Sequence, residues 1–249
     1  MDNQKIITSL TNSWVKKILE LKLTQVQREE KKFLVEGEHL VFEALKHNCL
    51  ESVIVVNKEN QQFRKQIPQT LVTKEVMKKI SDLKNAPNII GICHILDSKI
   101  DFTSNILVLE NIQDPGNMGS LIRSAAAFNF KTIISTNNSV SYYNPKVVRA
   151  TQGNLFDLNL LNLEIADVIK QVGEKNYEVV GTNLRKPSVD LEVLKNPSLK
   201  LLLLGNEGSG LSDEVSDLIE KNFIIKINPQ VESLNVGVAG AIIMNLLNQ

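Results

Sequence analysis

Three segments of this chain repeat one local grammar: an apolar strand, a turn of Gly, Asn or Pro, then a helix. They are NIQDPGNMGSLIRSAAAFN (Asn111 to Asn129), LLLLGNEGSGLSDE (Leu201 to Glu214) and ESLNVGVAGAIIMNLL (Glu232 to Leu247). Each puts polar side chains at a junction where a helix N-terminus offers backbone N–H groups that lack an intrahelical partner. Three such junctions in one α/β domain predict a pocket lined largely by backbone, and the chemistry is expected there. A parallel sheet that carries its ligand at the C-terminal ends of its strands would gather them.

The 249 residues suffice for one large domain or two small ones. Two alternations of strand and helix favour two. The first has a helix over 13–32, strands at 33–37 and 52–56, and helices at 38–47 and 58–65. A strand at 70–73, a helix at 74–81 and a strand at 88–96 complete it. The polar stretch 97–105 (DSKIDFTSN) is the expected linker between a domain at 1–96 and another at 106–249. In the second domain, strands are expected at 106–110, 132–135, 178–181, 200–205 and 223–227, with helices between them. The last helix, 234–247, is apolar almost all round and is expected to bury itself on the sheet or on a partner chain.

Cys49 and Cys93 stand apart with no Cys or His at ligand spacing, which reads as structural thiols in a reducing compartment. No metal site is expected, because none of the three His residues has ligand spacing either. No apolar run reaches the roughly 18–20 residues that span a bilayer, and no hydrophobic leader opens the chain. The expected location is the cytoplasm, away from membranes. Net charge is zero, yet residues 1–100 carry 16 Lys and Arg against 12 Asp and Glu, and the rest carry the reverse excess. Phosphates would therefore be met by the N-terminal part.

Each junction also has a bland reading. Asp114-Pro115-Gly116-Asn117 also reads as a tight turn with Asn117 as N-cap. Arg123 in the helix that follows stands among small and apolar residues, where an Arg calls for a charged partner such as Asp114 or Glu207, or for a function. Gly205-Asn206-Glu207-Gly208-Ser209-Gly210 is no phosphate loop and fails the dinucleotide spacing. It reads either as a turn capped by Ser212 or as a close backbone approach to a ligand that is not strongly anionic. The bland reading of Ser233-Leu234-Asn235 is a cap on the final helix and a tie for the neighbouring loop. The three motifs gain weight from their order together.

In that order they resemble the SpoU/TrmH-family RNA 2′-O-ribose methyltransferases of the SPOUT superfamily. The motifs carrying the resemblance are NIQDPGNMGSLIRSAAAF, LLLGNEGSGL and ESLNVGVA, covering about residues 105–249. More loosely, ITSLTNSWVKKILEL and FLVEGEHLVFEAL are similar to the family's ribosomal-protein-like substrate-binding domain. The resemblance implies an α/β domain with a C-terminal trefoil knot, one of the rare exceptions to unknotted topology. It also implies a homodimer through the C-terminal domain and S-adenosylmethionine as cofactor. The implied catalytic set is Asn117, Arg123, Glu207, Ser233 and Asn235. The implied donor cradle is Gly205, Asn206, Glu207, Gly208, Ser233, Leu234 and Asn235. Ile227 or Ile225 would join it, since this chain reads Ile-Asn-Pro where the family has Ile-Pro.

A sulfonium donor carries its own leaving group, so the reaction needs alignment of the 2′-oxygen and help with its proton. The family reading makes Arg123 the base. Guanidinium groups hold their proton past about pH 12, which favours Arg123 as a fixed donor to the developing alkoxide. The substrate expected is structured rRNA, contacted by Arg28, Lys31, Lys32 and Arg149. A tRNA enzyme of the same family and a non-catalytic RNA-binding assembly factor are the alternatives. An oxidoreductase would need a dinucleotide fingerprint that the chain lacks.

Overall fold

The computed structural model describes residues 6–56, 60, 63, 67–173, 175–183, 187–189 and 198–248. Two compact units emerge: residues up to Asp97 together with Tyr143–Phe156, and Ser98–Tyr142 together with Asp157 onwards. The division at Asp97/Ser98 falls inside the polar stretch 97–105. Residues 101–105 are tied to the second unit, where Asp101 N donates to Thr132 Oγ1 at 2.9 Å and Tyr177 Oη donates to Ser104 O at 2.7 Å. The segment 143–156, placed in the second domain by sequence, packs within the first unit. Tyr143 stacks at a tilt on Phe33, with ring centroids 4.7 Å apart.

The first unit begins with α1 (Ser13–Glu20) and α2 (Thr24–Glu30), followed by β1 (Lys32–Glu36) and α3 (Glu38–Lys46). Then come β2 (Leu50–Val56), β3 (Gln69–Val72), α4 (Lys74–Ile80) and β4 (Ile89–His94). Its sheet has the order β1-β4-β2-β3, with β4 antiparallel to both neighbours and β2 parallel to β3. Val15, Ile18, Ile54, Val76 and Ile90 meet in its core. The single helix expected over 13–32 is broken. Leu23 takes an extended conformation, and buried Gln27 donates its amide to the orphan carbonyl of Leu21 at 2.9 Å. The helix expected over 58–65 lies largely outside the described residues.

The second unit is built on near-continuous apolar runs, the pattern of strands buried on both faces of a parallel sheet. In chain order it contains β5 (Ile106–Leu109), α5 (Pro115–Ala127) and β6 (Thr132–Ser135), after which α6 (Pro145–Thr151) belongs to the first unit. Beyond that run β7 (Asn159–Asn162), α7 (Ile165–Gly173), β8 (Tyr177–Gly181) and β9 (Leu199–Leu204). The unit closes with α8 (Asp213–Ser216), β10 (Lys221–Asn222) and α9 (Val236–Leu247). The six strands are all parallel, in the order β10-β8-β9-β5-β6-β7. The strand expected at 223–227 is instead the two residues of β10. The Asn222 side chain stops the ladder by pairing with Asn183, accepting from its N at 2.6 Å and donating to its O at 2.9 Å. Edge strand β7 was not expected, since Asn is depleted in strands.

Candidate active site

The strand order reverses between β9 and β5, so the loops leaving their C-terminal ends open the crevice where parallel sheets hold ligands. The loop after β5 turns through Asn111 at φ +55° and then enters α5. Asp114, not Asn117, is the N-cap. Its carboxylate accepts from Asn117 N at 2.8 Å, with Pro115 at the first helical position. The Asn117 side chain is thereby released from capping.

The loop after β9 closes on itself. Asn206 N donates to Gly210 O at 3.0 Å and Gly210 N donates back to Asn206 O at 2.9 Å. Gly205 is required for that closure, because a Cβ there would lie 2.3 Å from the Gly210 backbone. The Asn206 side chain fills the loop, accepting from Gly208 N at 2.9 Å and Ser209 N at 3.2 Å and donating to Asn111 O at 3.0 Å. The two loops are thus stitched together. Glu110, which sequence reasoning passed over, fixes the far end by accepting from Ser212 N at 2.8 Å and Ser212 Oγ at 2.7 Å. Ser212 caps α8 as expected.

The third junction joins the other two. Asn235 is the N-cap of α9, its Oδ1 accepting from Gly237 N at 2.9 Å and Val238 N at 3.2 Å. Its Nδ2 donates to Asn117 Oδ1 at 2.7 Å. Asn117 Nδ2 in turn donates to the Glu207 carboxylate. A directional relay therefore runs from the α9 N-terminus through two amides to one carboxylate. It can form because α9 lies close on α5: Gly237 approaches Ser120, and a Cβ at Gly240 would come within 2.4 Å of Leu121 Cδ2.

The relay takes in Asn117, Glu207 and Asn235. Arg123 and Ser233 are exposed and, among the described residues, engage no side-chain partner. The ion pair foreseen for Arg123 with Asp114 or Glu207 is not formed. Gly208 is exposed, while Ile225, Ile227 and Leu234 are half-buried in a stretch without regular secondary structure, where nothing selects one isoleucine over the other. Beside the relay an open cleft of about 440 Å³ is lined by Glu110, Asn111, Thr136, Asn137, Glu164 and Gly210, among others.

The four basic residues expected to meet RNA lie in the first unit, and three are committed to carboxylates. Lys31 pairs with Asp97 at 2.7 Å and holds that carboxyl below its ordinary range. Lys32 pairs with Glu51 at 2.7 Å, and Arg149 with Glu36 at 3.6 Å. Arg28 is exposed and unpaired among the described residues. Helices α1 and α4, packed on each other, also leave Lys16, Lys17, Lys78 and Lys79 in solvent without partners among the described residues. Sequence reasoning missed this face because charge alone does not reveal which lysines are paired. Among the described residues, no cluster of three or more His, Cys, Asp or Glu could hold a metal, and no helix is long and apolar enough to cross a membrane.

Residues 12–91 match the MRM3-like substrate binding domain. The chain is 28% identical over 243 residues to the 23S rRNA (guanosine(2553)-2'-O)-methyltransferase RlmP of Bacillus subtilis, covering 96% of this chain and 98% of that one. It is 27% identical over 252 residues to an uncharacterized tRNA/rRNA methyltransferase of Synechocystis, covering 96% and 91%. The AdoMet-bound rRNA methyltransferase from Sinorhizobium meliloti superposes with a TM-score of 0.87 at 27% identity, over 98% of this chain and 97% of that one. Residues 104–245, more than half of the sequence and all three junctions, match the SpoU rRNA Methylase family, and the chain belongs to that family.

Proposed function

We propose that the protein transfers a methyl group from S-adenosylmethionine to a ribose 2′-hydroxyl in structured rRNA, in the cytoplasm. One observation carries the reading: the Asn235–Asn117–Glu207 relay, which ties the three family motifs into one site at the switch point of a parallel sheet. The amino-terminal match to a substrate-binding domain, together with the relative named for 23S rRNA, supports rRNA over tRNA.

S-adenosylmethionine supplies a methyl group on a sulfonium with its leaving group attached. The loops fit that group, because residues 110–117, 205–212 and 232–235 contain no Lys or Arg to repel a sulfonium cation and present amides, hydroxyls and carboxylates instead. Gly205, Asn206, Glu207 and Gly208 would hold it on one side, and Ile225 or Ile227, Ser233, Leu234 and Asn235 on the other. Asn117, held at both ends of its amide, positions the ribose. Glu207 accepts from Asn117 and orients it. Arg123, without a carboxylate partner among the described residues, donates to the 2′-oxygen as charge develops, and the proton leaves to an RNA phosphate or to water. Ser233 shapes the loop before α9.

The homodimer is part of the same proposal. Helix α9 buries Gly240, Ile243 and Met244 on its own unit and leaves Val238 and Ile242 exposed on the outer side, a surface suited to a second copy. A C-terminal trefoil knot is also proposed. It is supported by the path of the chain, which leaves β10 at the sheet edge and returns to pack α9 against α5 and β9.

The test is tritium transfer from labelled S-adenosylmethionine to rRNA and, separately, tRNA from cells lacking the protein. Label in an alkali-resistant dinucleotide of rRNA is the expected result. The same label in tRNA would overturn the substrate, and none in either, with the donor still bound, would leave an RNA-binding assembly factor.

A further inference from the structure

We infer that the cleft beside the relay seats the base of the target nucleotide and is built for guanine, with Glu164 as the residue that selects it. The inference rests on the methyltransferase reading. The cleft lies at the C-terminal ends of β5, β6 and β7 and against the loop after β9, on the switch point of the sheet. Its volume of about 440 Å³ is of the size that holds a small ligand. Ser209 in its lining is two residues from Glu207, so their Cα atoms are at most about 7 Å apart. Asn111, also in the lining, is bonded through Asn206 to the same loop. A nucleotide whose ribose lies at Asn117 and Glu207 therefore has this space for its base.

The lining carries no Lys or Arg. Of its two carboxylates, Glu110 has both oxygens occupied by Ser212 and acts as wall. Glu164 accepts from Asn137 Nδ2 on Oε1 at 3.3 Å, and its Oε2 has no partner among the described residues. A carboxylate directed at a base edge accepts two neighbouring N–H groups. On the Watson–Crick edge guanine offers that pair, N1–H and N2–H₂. Adenine, cytosine and uracil set an acceptor beside their donor, and that acceptor would face the carboxylate lone pairs. Asn138, whose amide is also unpartnered among the described residues, is of the type that donates to O6. Unpaired RNA bases are ordinarily read on such edges.

The test labels rRNA from cells lacking the protein, identifies the methylated nucleoside in the alkali-resistant dinucleotide, and repeats the assay on an oligoribonucleotide carrying that site. Wild-type protein is expected to yield 2′-O-methylguanosine. Glu164→Ala, at an exposed position, is expected to keep its fold and its donor affinity. It should lose about 10- to 100-fold in kcat/KM, with Glu164→Gln in between. Replacing the target guanosine by inosine, which lacks the N2 amino group, should slow wild type about 10-fold and leave Glu164→Ala unchanged. Label in a nucleoside other than guanosine, or wild-type rates from Glu164→Ala, would overturn the cleft assignment and leave the methyltransferase reading standing. No label in any RNA, with donor still bound, would overturn both.

Discussion

The relay and the helix cap share one residue, and Asn235→Asp separates them. Asp is as good an N-cap as Asn, and its charge at the start of α9 is favourable, so the bonds from Gly237 N and Val238 N should survive. What is lost is the 2.7 Å donation from Asn235 Nδ2 to Asn117 Oδ1. The Asn117 amide cannot recover by turning over, because its oxygen would then face Glu207, which now accepts from its nitrogen. One end of the relay is left unpaired whichever way the amide lies, at a cost of about 1–3 kcal/mol, or roughly 5- to 150-fold in rate if the geometry is needed in the transition state. Global stability should change by less than about 0.5 kcal/mol, whereas Asn235→Ala, which removes the cap as well, should lose about 0.5–2 kcal/mol. Initial rates of methyl transfer to rRNA and urea midpoints measure the two effects. A fully active Asn235→Asp would refute the relay, and one as unstable as Asn235→Ala would refute the cap.

Arg123→Lys should keep donor binding and lose at least about 10-fold in kcat, since an ammonium lacks the planar fork; near-full activity would rule out a donor that depends on that fork. Gly240→Ala should cost about 1–2 kcal/mol in urea unfolding. A methyl 2.4 Å from Leu121 Cδ2 and 3.0 Å from Leu204 Cδ1, both on buried side chains, outweighs the gain in helix propensity; a more stable variant would refute the packing. Burial, with Asp101 nearby, pushes the Tyr177 phenol up to about 12, so the neutral form is the one the fold favours. That contribution is complete below about pH 10 and fades towards pH 12. Tyr177→Phe should therefore be about 1 kcal/mol less stable at neutral pH and lack this alkaline decline in its pH–stability curve. The three junctions contain no His or Lys and Glu207 is engaged by Asn117, so log kcat should climb from pH 6 to 9; a flat profile would make a carboxylate the general base.

Most strand cores and the first two junctions were legible because each follows an apolar run that a buried strand explains, whereas the run 223–227 before the third junction is not a strand. The partners inside the junctions were less so. Asp-Pro-Gly-Asn offers two caps, and the Pro after Asp114 marks the right one, yet only the folded loop shows that Asn117 is freed for Glu207. The break between α1 and α2 depends on Gln27 reaching back to Leu21 and donating also to Tyr143 O, more than a hundred positions away. No helical period encodes such a contact. For the same reason Arg149, expected to meet RNA, was not foreseen to pair with Glu36. It sits in a stretch of the sequence that resembles the catalytic domain, but the segment packs by Tyr143 on Phe33, and that brings its guanidinium to Glu36.

Charge shows how such a site can serve RNA without a basic surface of its own. A sulfonium donor is repelled by cations, and residues 110–117, 205–212 and 232–235 contain none. Phosphates need cations, and among the described residues those exposed without a carboxylate partner include Lys99, Arg123 and Lys170 in the second unit and Arg28, Lys84, Lys146 and the lysines of α1 and α4 in the first. Keeping cations out of the loops at 110–117, 205–212 and 232–235 while exposing them elsewhere lets one chain meet both at zero net charge. It also limits how many phosphates are neutralised, so affinity should depend on salt only moderately, and discrimination must come from the fit of the nucleotide at the relay and its cleft.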